Sequence, residues 1–279
     1  MKALWLVAAM AALVAGCAGT GTRTSGIERL YVLDCGQSRT ADVSRWSPGV
    51  NVGQPREFSA NCYLIKHAKG YMLWDSGYSD SIAAMPDGLT TPISVVHVTK
   101  ELAAQLKELG IAPTDIKHIA FSHTHSDHVG NANLFTAATL YIQEAEYNAA
   151  FGPDAQKSGF VAANYEKLRA NPVVKLKGCH DVFGDASVNI LDTPGHTVGH
   201  QSLLVRLPKT GNVVLSGDMV HFRENWEARR VPSMNVNAAQ TLDSMNKIAD
   251  VMAANNAQLW INHDKAQSAS IRKSPAWYD

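Results

Sequence analysis

The chain has 279 residues, of which 46% are apolar and 18% charged, so most of it can bury a sizeable core and it is not a disordered protein. The 25 lysines and arginines balance the 25 aspartates and glutamates, which leaves no net field to attract nucleic acid or anionic lipid. The composition therefore argues against a nucleic-acid partner. Its least ordinary feature is 11 histidines, several of them clustered.

The N-terminal segment has the pattern of an export signal. Lys2 precedes an apolar run over residues 3–15, which is shorter than the about 20 residues that a membrane-spanning helix needs. The sequence Val-Ala-Gly-Cys over residues 14–17 resembles the lipobox of bacterial lipoproteins. The resemblance implies a signal peptide over residues 1–16, cleavage before Cys17 and a lipid on its sulfur. An ordinary signal peptide that is cut elsewhere is the alternative.

Residues 17–29 are predicted to form a lipidated tether, since residues 18–26 are small or polar apart from Arg23. The lipid on Cys17 would then hold an exported, periplasmic protein to a membrane surface. Ala18 follows the cysteine, where an aspartate is associated with retention at the inner membrane, so the outer membrane is favoured.

Three further cysteines are Cys35, Cys62 and Cys179. Export would place them in a compartment that permits disulfides. Cys35 ends one predicted strand and Cys62 opens the next, so a hairpin could bring the two within bonding distance. The alternative is a pair of buried thiols that pack as small hydrophobic side chains.

Predicted strands and helices alternate along the remainder of the chain. Strands are expected at 30–33, 62–66, 71–74, 116–121, 188–191, 202–207, 212–215 and 259–261, a surface loop at 36–55, and helices at 100–109 and 238–254. The second helix is expected to bury Leu242, Met245, Ile248 and Met252. Two similar halves of this kind predict an α/β fold with two central sheets and helices outside. Because no break in composition marks a linker, residues 30–279 are expected to form one domain.

Three histidines and an aspartate follow the predicted strand 116–121. They form the pattern His-x-His-x-Asp-His, which chance would produce about once in a thousand chains of this composition. In an extended segment, residues two apart point the same way, so His123 and His125 can bind one ion together. If the chain turns after His125, Asp127 and His128 face a neighbouring position and can bind a second ion.

Three more ligand candidates also follow predicted strands: His196, Asp218 and His263. Side chains at strand ends are rigidly supported and still open to a substrate, which a reactive metal site requires. A donor set of five imidazoles and two carboxylates suits zinc best, while iron and manganese stay open.

The motif at 123–128, together with these three residues, resembles the metallo-β-lactamase-fold hydrolases over about residues 30–265. The resemblance implies an αββα sandwich with two mixed sheets and two divalent metal ions. It implies that His123, His125 and His196 bind one ion, that Asp127, His128 and His263 bind the other, and that Asp218 bridges the two. It also implies that Asp75 supports the metal-binding loop without being a ligand.

Within this superfamily, the stretch 192–203 is similar to the segment around the third metal-binding histidine of N-acyl-homoserine lactonases. The sequence Arg-Glu-Asn at 223–225 also follows Asp218 much as a related segment does in those enzymes. One position departs from their pattern. The lactonases carry a tyrosine three residues beyond the bridging aspartate, where it contacts the substrate carbonyl, and this chain has His221. An imidazole can also donate a hydrogen bond to an oxyanion, although its reach and charge differ.

The resemblance implies a mechanism for a small-molecule ester or lactone. A metal-bound water can lose its proton near pH 7, against about 15.7 for bulk water, and a hydroxide shared by two ions would attack the carbonyl. His221 would assist at the carbonyl oxygen, and Asp218 or Asp127 would carry a proton to the departing alkoxide. Acyl-homoserine lactones are the first substrates to consider. Trp46, Phe222 and Trp226 would either line an acyl pocket or serve in packing.

Two other interpretations stay open. One is another hydrolase of the same fold: an esterase, a thioesterase or a β-lactamase-like enzyme. A β-lactamase is disfavoured because such enzymes lack the bridging aspartate, and a glyoxalase II-like thioesterase because only 16 residues follow His263. The other is a lipid-tethered metal-binding protein without turnover.

Overall fold

The structure is a computed structural model that describes residues 25–279. The predicted signal peptide, the lipidated Cys17 and most of the predicted tether lie outside the described residues. Within the described range, no helix combines the length and apolar character needed to cross a bilayer.

Two β-sheets form the centre of the described chain. The nine-stranded sheet consists of β1 (Ile27–Thr40), β2 (Arg56–His67), β3 (Gly70–Trp74), β4 (Leu89–Thr90), β5 (Val95–His97), β6 (Ile116–Ala120), β7 (Thr139–Gln143), β8 (Val173–Leu176) and, paired with β1, β14 (Trp277–Tyr278). The five-stranded sheet consists of β9 (His180–Asp181), β10 (Val188–Asp192), β11 (Gln201–Leu207), β12 (Gly211–Leu215) and β13 (Ala257–Trp260).

Both sheets are mixed, as expected. The first sheet has the order β4-β5-β1-β2-β3-β6-β7-β8, in which β1, β2 and β3 are antiparallel neighbours and β3, β6, β7 and β8 run parallel. The second has the order β13-β12-β11-β10-β9, with one parallel pair, β12 and β13. The strands that precede the ligand candidates are β6, β10, β12 and β13, so the turns after them can meet at one edge of the sandwich.

The helices lie on the outer faces and in the connections. The α-helices are α1 (Leu102–Glu108), α2 (Ser126–Val129), α3 (Glu144–Ala150), α4 (Arg223–Glu227), α5 (Ala238–Asn255) and α6 (Lys265–Ser270). Short 3₁₀ helices cover Val43–Arg45, Asp80–Ala84, Pro113–Asp115, Ala132–Leu134, Ala155–Ser158, Ala162–Asn164, Glu166–Ala170 and Gly217–Met219.

The alternation of side-chain direction along the strands produces the helix and sheet layers of the sandwich. In β2, Leu64 faces the cluster that contains Leu106 of α1, whereas Ile65 faces the space between the sheets. In β11, Val205 points to the same inter-sheet core, and Leu204 packs with the apolar residues of α5. Because neighbouring strand residues point to opposite faces, a fully apolar strand can pack against the other sheet with one face and against a helix with the other. The resulting arrangement has two central sheets with helices outside, as the sequence pattern predicts, and is the αββα sandwich that the family resemblance implies.

The predicted loop over 36–55 is partly strand. Strand β1 continues to Thr40, because a register shift between Asp34 and Gln37 lets it keep pairing with β2 and then with β5. At its other end β1 begins at Ile27, so residues 27–29 belong to the sheet and not to the predicted tether.

The buried face of α5 differs from the predicted one at two positions. Met245 and Ile248 are buried as expected, but Leu242 is exposed with Thr241 buried in its place, and Met252 is half-buried beside the buried Val251. The Thr241 hydroxyl donates to Asn237 O and accepts from Asn235 Nδ2. These hydrogen bonds satisfy a polar group that would otherwise be costly to bury.

Cys35 and Cys62 form a disulfide, with their Cα atoms 5.8 Å apart. The bridge joins β1 to β2, and both sulfurs lie in the apolar cluster beneath α1. It also packs against the segment that carries Asp75, since Tyr78 N–H donates to Cys35 O at 3.1 Å. The cross-link therefore connects the central strand pair to the edge of the sandwich where the candidate ligands follow their strands.

Replacing both cysteines, as Cys35→Ser/Cys62→Ser, should lower the free energy of unfolding by about 3 kcal/mol. The bridge spans 27 residues of sequence, and its loss would free that loop in the unfolded chain. Urea unfolding of the oxidised wild-type protein and the variant measures the change. Either single variant should match the double variant, because each removes the same bond. Equal stability of wild type and variant would contradict the expectation.

Candidate metal centre

The structure brings all seven predicted ligands together at one edge of the sandwich. Their nitrogen and oxygen atoms form two groups in which every candidate ligand atom lies within 4.8 Å of the others. One group contains His123, His125 and His196, and the other contains Asp127, His128, Asp218 and His263.

Three imidazoles form the first group. His125 Nδ1 lies 2.8 Å from His123 Nε2 and 3.1 Å from His196 Nε2. Their ring nitrogens thus converge on one point from a loop after β6 and a loop after β10. Three imidazoles that converge in this way form a typical set of zinc ligands.

Two imidazoles and two carboxylates form the second group. His263 Nε2 lies 3.0 Å from Asp218 Oδ1 and 3.4 Å from Asp127 Oδ2. His128 Nε2 lies 3.2 Å from the same Asp218 oxygen and 3.7 Å from Asp127 Oδ2.

Asp218 connects the two groups through its two oxygens. Oδ1 faces His128 and His263 of the second group. Oδ2 lies 3.5 Å from His196 Nε2 and 3.8 Å from His123 Nε2 of the first group. The carboxylate is 4% exposed, so each oxygen meets one set of imidazoles away from solvent. This is the geometry that a bridging ligand needs.

The loop after β6 is held in place by the buried Asp75. Its carboxylate accepts hydrogen bonds from Ser122 N–H at 2.6 Å and from His128 Nδ1–H at 3.0 Å. Helix α2 then starts at Ser126, with His125 at its N-cap position, so the predicted turn separates the two pairs of ligands. Asp75 therefore has the supporting position that the resemblance implied.

Close backbone approaches position His196 and Asp218. Gly195 has φ +134°, and a Cβ there would lie 2.4 Å from Thr241 N, so the His196 loop packs directly on α5. Gly217 has φ +54°, and a Cβ there would lie 2.6 Å from His200 Nε2. The same His200 nitrogen accepts a hydrogen bond from Asp218 N–H at 2.9 Å. His200 thus orients Asp218 through its backbone, as well as lying beside the His196 loop.

Hydrogen bonds on the outer ring nitrogens aim the inner ones at the cluster. His196 Nδ1–H donates to Asn235 Oδ1 at 2.9 Å, and His263 Nδ1–H donates to Ser59 O at 2.7 Å. In its neutral form, each imidazole then presents an unprotonated Nε2 to the interior, as metal-binding histidines do. His128 Nε2 and Asp218 Oδ1 are buried there without a hydrogen-bond partner. Cations at the two groups would satisfy these buried atoms, so the residues fit a pair of metal ions.

The electrostatics of the cluster differ between the two groups. Burial alone would lower the pKa of His128 and His263 in the second group, but the Asp218 carboxylate outweighs it and raises both. In the first group, neutral imidazoles are favoured. Burial, reinforced by the neighbouring histidines, lowers the pKa of both His123 and His196 well below the usual value. Burial would raise the pKa of Asp218, but the surrounding histidines His263, His128 and His221 outweigh it and lower that pKa. A lowered histidine pKa leaves the lone pair free for a metal ion at neutral pH.

His221 is in direct contact with the candidate ligands Asp218 and His263. Its Nε2 is 3.1 Å from Asp218 Oδ2, and its ring stacks on that of His263 with centroids 5.4 Å apart. The side chain is 1% exposed, and burial lowers its pKa. His221 is therefore next to any group that Asp218 and His196 bind.

A cavity of about 660 Å³ opens above the cluster. Its floor contains candidate ligands of both groups, among them His125, Asp127 and Asp218. Its walls are largely apolar and include Trp46, Phe58, Ile93, Val96 and Met234. Cavities of this size and character are suited to small molecules with an apolar part.

Of the three aromatic residues considered for this pocket, only Trp46 lines it. Phe222 packs behind Phe58, with ring centroids 5.0 Å apart, and Trp226 contacts the cluster between α5 and the second sheet. Phe222, at the N-cap position of α4, is buried, and Trp226 within α4 is half-buried. Neither side chain lines the cleft, and both make packing contacts.

Several residues that shape the site were not found from the sequence. Asn235 orients His196, Tyr78 lines the cleft, and the buried Glu146 contacts the loops of the first group. Each is a common residue type in a segment with no distinctive pattern. Their positions depend on contacts between residues far apart in the chain, which a single sequence does not reveal.

The family model of the metallo-β-lactamase superfamily matches residues 55–254. The N-acyl homoserine lactonase AttM of Azorhizobium caulinodans is 32% identical over 260 residues, covering 90% of this chain and 98% of the relative. The N-acyl homoserine lactonase AiiA of Bacillus thuringiensis subsp. kurstaki is 28% identical over 261 residues, covering 90% of this chain and 99% of the relative.

Solved structures agree with these relatives. The crystal structure of an N-acyl homoserine lactone hydrolase, with the product N-hexanoyl-L-homoserine bound at its catalytic metal centre, superimposes with a TM-score of 0.78 and 26% identity. The match covers 90% of this chain and 99% of that one. The match to the superfamily model and the near-complete overlap with lactonases lead to one assignment. The chain belongs to the metallo-β-lactamase superfamily and is similar, over nearly its whole described length, to the N-acyl homoserine lactonases.

Proposed function

We propose that this protein is a dinuclear metal hydrolase that opens lactone rings, with N-acyl homoserine lactones as the first substrate class. The single observation that supports this most is the buried Asp218 carboxylate, which presents one oxygen to each ligand group. Two cations held so close together suit the hydrolysis of a carboxylic ester. The similarity to lactonases along 90% of the chain supports the choice of lactone over other esters.

The proposed ligand sets follow the two groups. His123, His125 and His196 would bind one ion, Asp127, His128 and His263 the other, and Asp218 both. Zinc is the metal that we propose, since an imidazole-rich set with carboxylates suits it best. When bound, the two ions would supply a water with a pKa lowered to about 7 and would polarise the substrate carbonyl.

Side chains of the protein would transfer a proton to the leaving oxygen and stabilise the charge that forms on the carbonyl. Asp127 is the more open of the two carboxylates, with 22% of its side chain exposed, and lies at the floor of the cleft. It or Asp218 would carry a proton to the alkoxide oxygen that leaves when the ring opens. His221, beside Asp218 Oδ2, would donate a hydrogen bond to the oxyanion that forms on the carbonyl.

The apolar walls of the cleft would hold the acyl chain. Trp46 and Phe58 are in ring contact, with centroids 4.9 Å apart, and they border the cluster on the side of His263. A substrate with its ester at the floor would place its acyl group along these side chains. Apolar contact of this kind favours acylated lactones over small polar esters.

The purified protein should open the ring of long-chain N-acyl homoserine lactones and should hydrolyse thioesters and a β-lactam far more slowly. Ring opening releases an acid, so pH-stat titration and product mass spectrometry measure it. Activity should disappear when a chelator removes the metal and return when zinc is added back. Selective cleavage of the thioester or the β-lactam would instead favour another hydrolase of the same fold. Retained activity in fully metal-depleted protein would contradict the mechanism.

The variants His125→Ala and Asp218→Asn should each lose hydrolysis by about 100-fold or more while keeping the fold, because they remove metal ligands and leave the core intact. Initial rates on a lactone, together with circular dichroism and bound-metal analysis, test this. His180→Asn is the matched control, since His180 lies in β9, outside both groups, and should keep wild-type rates. A fully active Asp218→Asn enzyme would rule out the bridging role.

We also propose that the protein is exported and anchored to a membrane through Cys17. The Cys35–Cys62 disulfide supports export, because such bonds persist in oxidising compartments. The lipobox-like segment before Cys17 supports lipid attachment, with residues 1–16 removed.

Expression of the full chain should give a membrane-associated protein, and Cys17→Ser should release it into the soluble fraction. Loss of the only proposed lipid site removes the anchor without touching the described domain. Membrane fractionation and intact-mass analysis of the N-terminal peptide measure the change. A wild-type protein of unmodified mass would contradict lipid attachment, and Lys2→Arg is a control that should process normally.

A further inference from the structure

One buried acidic side chain outside the ligand set contacts both loops of the three-histidine group. Glu146 lies in α3 and is 1% exposed. Its Oε1 accepts hydrogen bonds from Thr124 N–H at 3.0 Å and from the Thr124 hydroxyl at 2.8 Å. Its Oε2 accepts from Gly199 N–H at 3.0 Å. A buried carboxylate is costly to maintain unless its oxygens are satisfied, and here three donors satisfy them.

The partners of Glu146 are the loop residues beside the candidate ligands. Thr124 stands between His123 and His125, so its backbone fixes the direction in which both imidazoles point. Gly199 is three residues beyond His196, in the turn that leads from β10 to β11. The two loops are more than 70 residues apart in sequence, and this carboxylate accepts hydrogen bonds from both of them.

The contact at Gly199 is tight as well as polar. A Cβ on Gly199 would lie 2.4 Å from Glu146 N and 2.6 Å from Glu146 Cβ, so the loop packs directly against α3. The next residue, His200, accepts the hydrogen bond from Asp218 N–H. Glu146 therefore acts on the first group directly and reaches Asp218 only through His200.

We propose that Glu146 is a positioning residue that sets the geometry, and so the affinity, of the three-histidine metal group. The proposal rests on the metal-binding function proposed above, but not on lactone as the substrate. The expected preference for the first group follows from the contacts: Thr124 lies between His123 and His125, and Gly199 lies in the His196 loop, whereas the second-group ligands of the loop after β6 begin only in α2. Asp127, His128 and His263 are instead oriented through α2, Asp75 and Ser59.

Glu146→Gln is the informative substitution because it preserves shape and removes one acceptor. If the glutamine amide oxygen accepts from Thr124, the amide nitrogen faces Gly199 N–H, and that hydrogen bond is lost. In the reverse orientation, the amide nitrogen faces Thr124 N–H, and that hydrogen bond is lost instead. We expect affinity at the first metal group to fall by about 10- to 100-fold, with a smaller effect on the second. Titration of metal-free protein with Co²⁺, followed by absorption spectroscopy and chelator competition, separates the two binding steps.

Glu144→Gln is the matched control in the same helix. Glu144 pairs with Lys177 on the surface, its side chain is 40% exposed, and the variant should bind metal as wild type does. Thr124→Val is a milder second variant, since it removes one hydroxyl hydrogen bond and leaves the Thr124 backbone donor. It should lower the metal affinity of the first group by less than Glu146→Gln does. It also tests the proposal if Glu146→Gln does not fold.

The outcomes separate this inference from the proposed function. Equal Co²⁺ affinities in wild type, Glu146→Gln and Thr124→Val would overturn the positioning role. Equal weakening of both metal groups would also overturn it, because a general structural role predicts that result. A wild-type protein that binds two ions but opens no lactone would contradict the proposed substrate class and leave the role of Glu146 intact.

Discussion

The geometry of the candidate metal centre depends on one carboxylate that is buried among imidazoles. Asp218 is held away from water between the two ligand groups, and it is surrounded by four imidazole rings from three different connections. An ionised carboxylate in such a place is unfavourable without opposite charge nearby. Much of the surrounding architecture, from Asp75 beneath one loop to His200 behind another, keeps that charge surrounded by oriented nitrogen atoms.

This constraint explains why the ligand candidates occupy strand ends. A strand end is fixed by its ladder on one side and is free to turn on the other, so a side chain there can be both rigid and accessible. The two sheets meet at one edge, which brings residues as far apart as His123 and His263 into contact with the same carboxylate. The apolar layers contribute by holding the sheets at a fixed separation, and the cleft opens above this edge.

The candidate ligands were predictable because their chemistry is local. The His-x-His-x-Asp-His pattern specifies two neighbouring ion positions from strand geometry and one turn, and α2 supplies that turn. Strands such as β6 and β11 were also recognisable, since buried apolar runs bounded by turn residues have few other interpretations. The continuation of β1 to Thr40 was not, because pairing with β2 and β5 overrides a polar sequence. Glu146 and Asn235 were hidden for a related reason: only tertiary contacts distinguish them from surface residues.

The direction of β1 decides at which end of the domain the proposed lipidated tether would enter. Ile27 opens the strand at the end where Gly26 N–H binds Asp185, whereas Ser38, 11 residues later, lines the cleft. At about 3.3 Å per residue, Ile27 and Ser38 are separated by roughly 35 Å along β1. Under the lipid attachment proposed above, the tether would enter the domain at the end of β1 that lies opposite the mouth of the cleft. Entry at that end keeps the connecting segment away from the route by which a substrate reaches the candidate ligands.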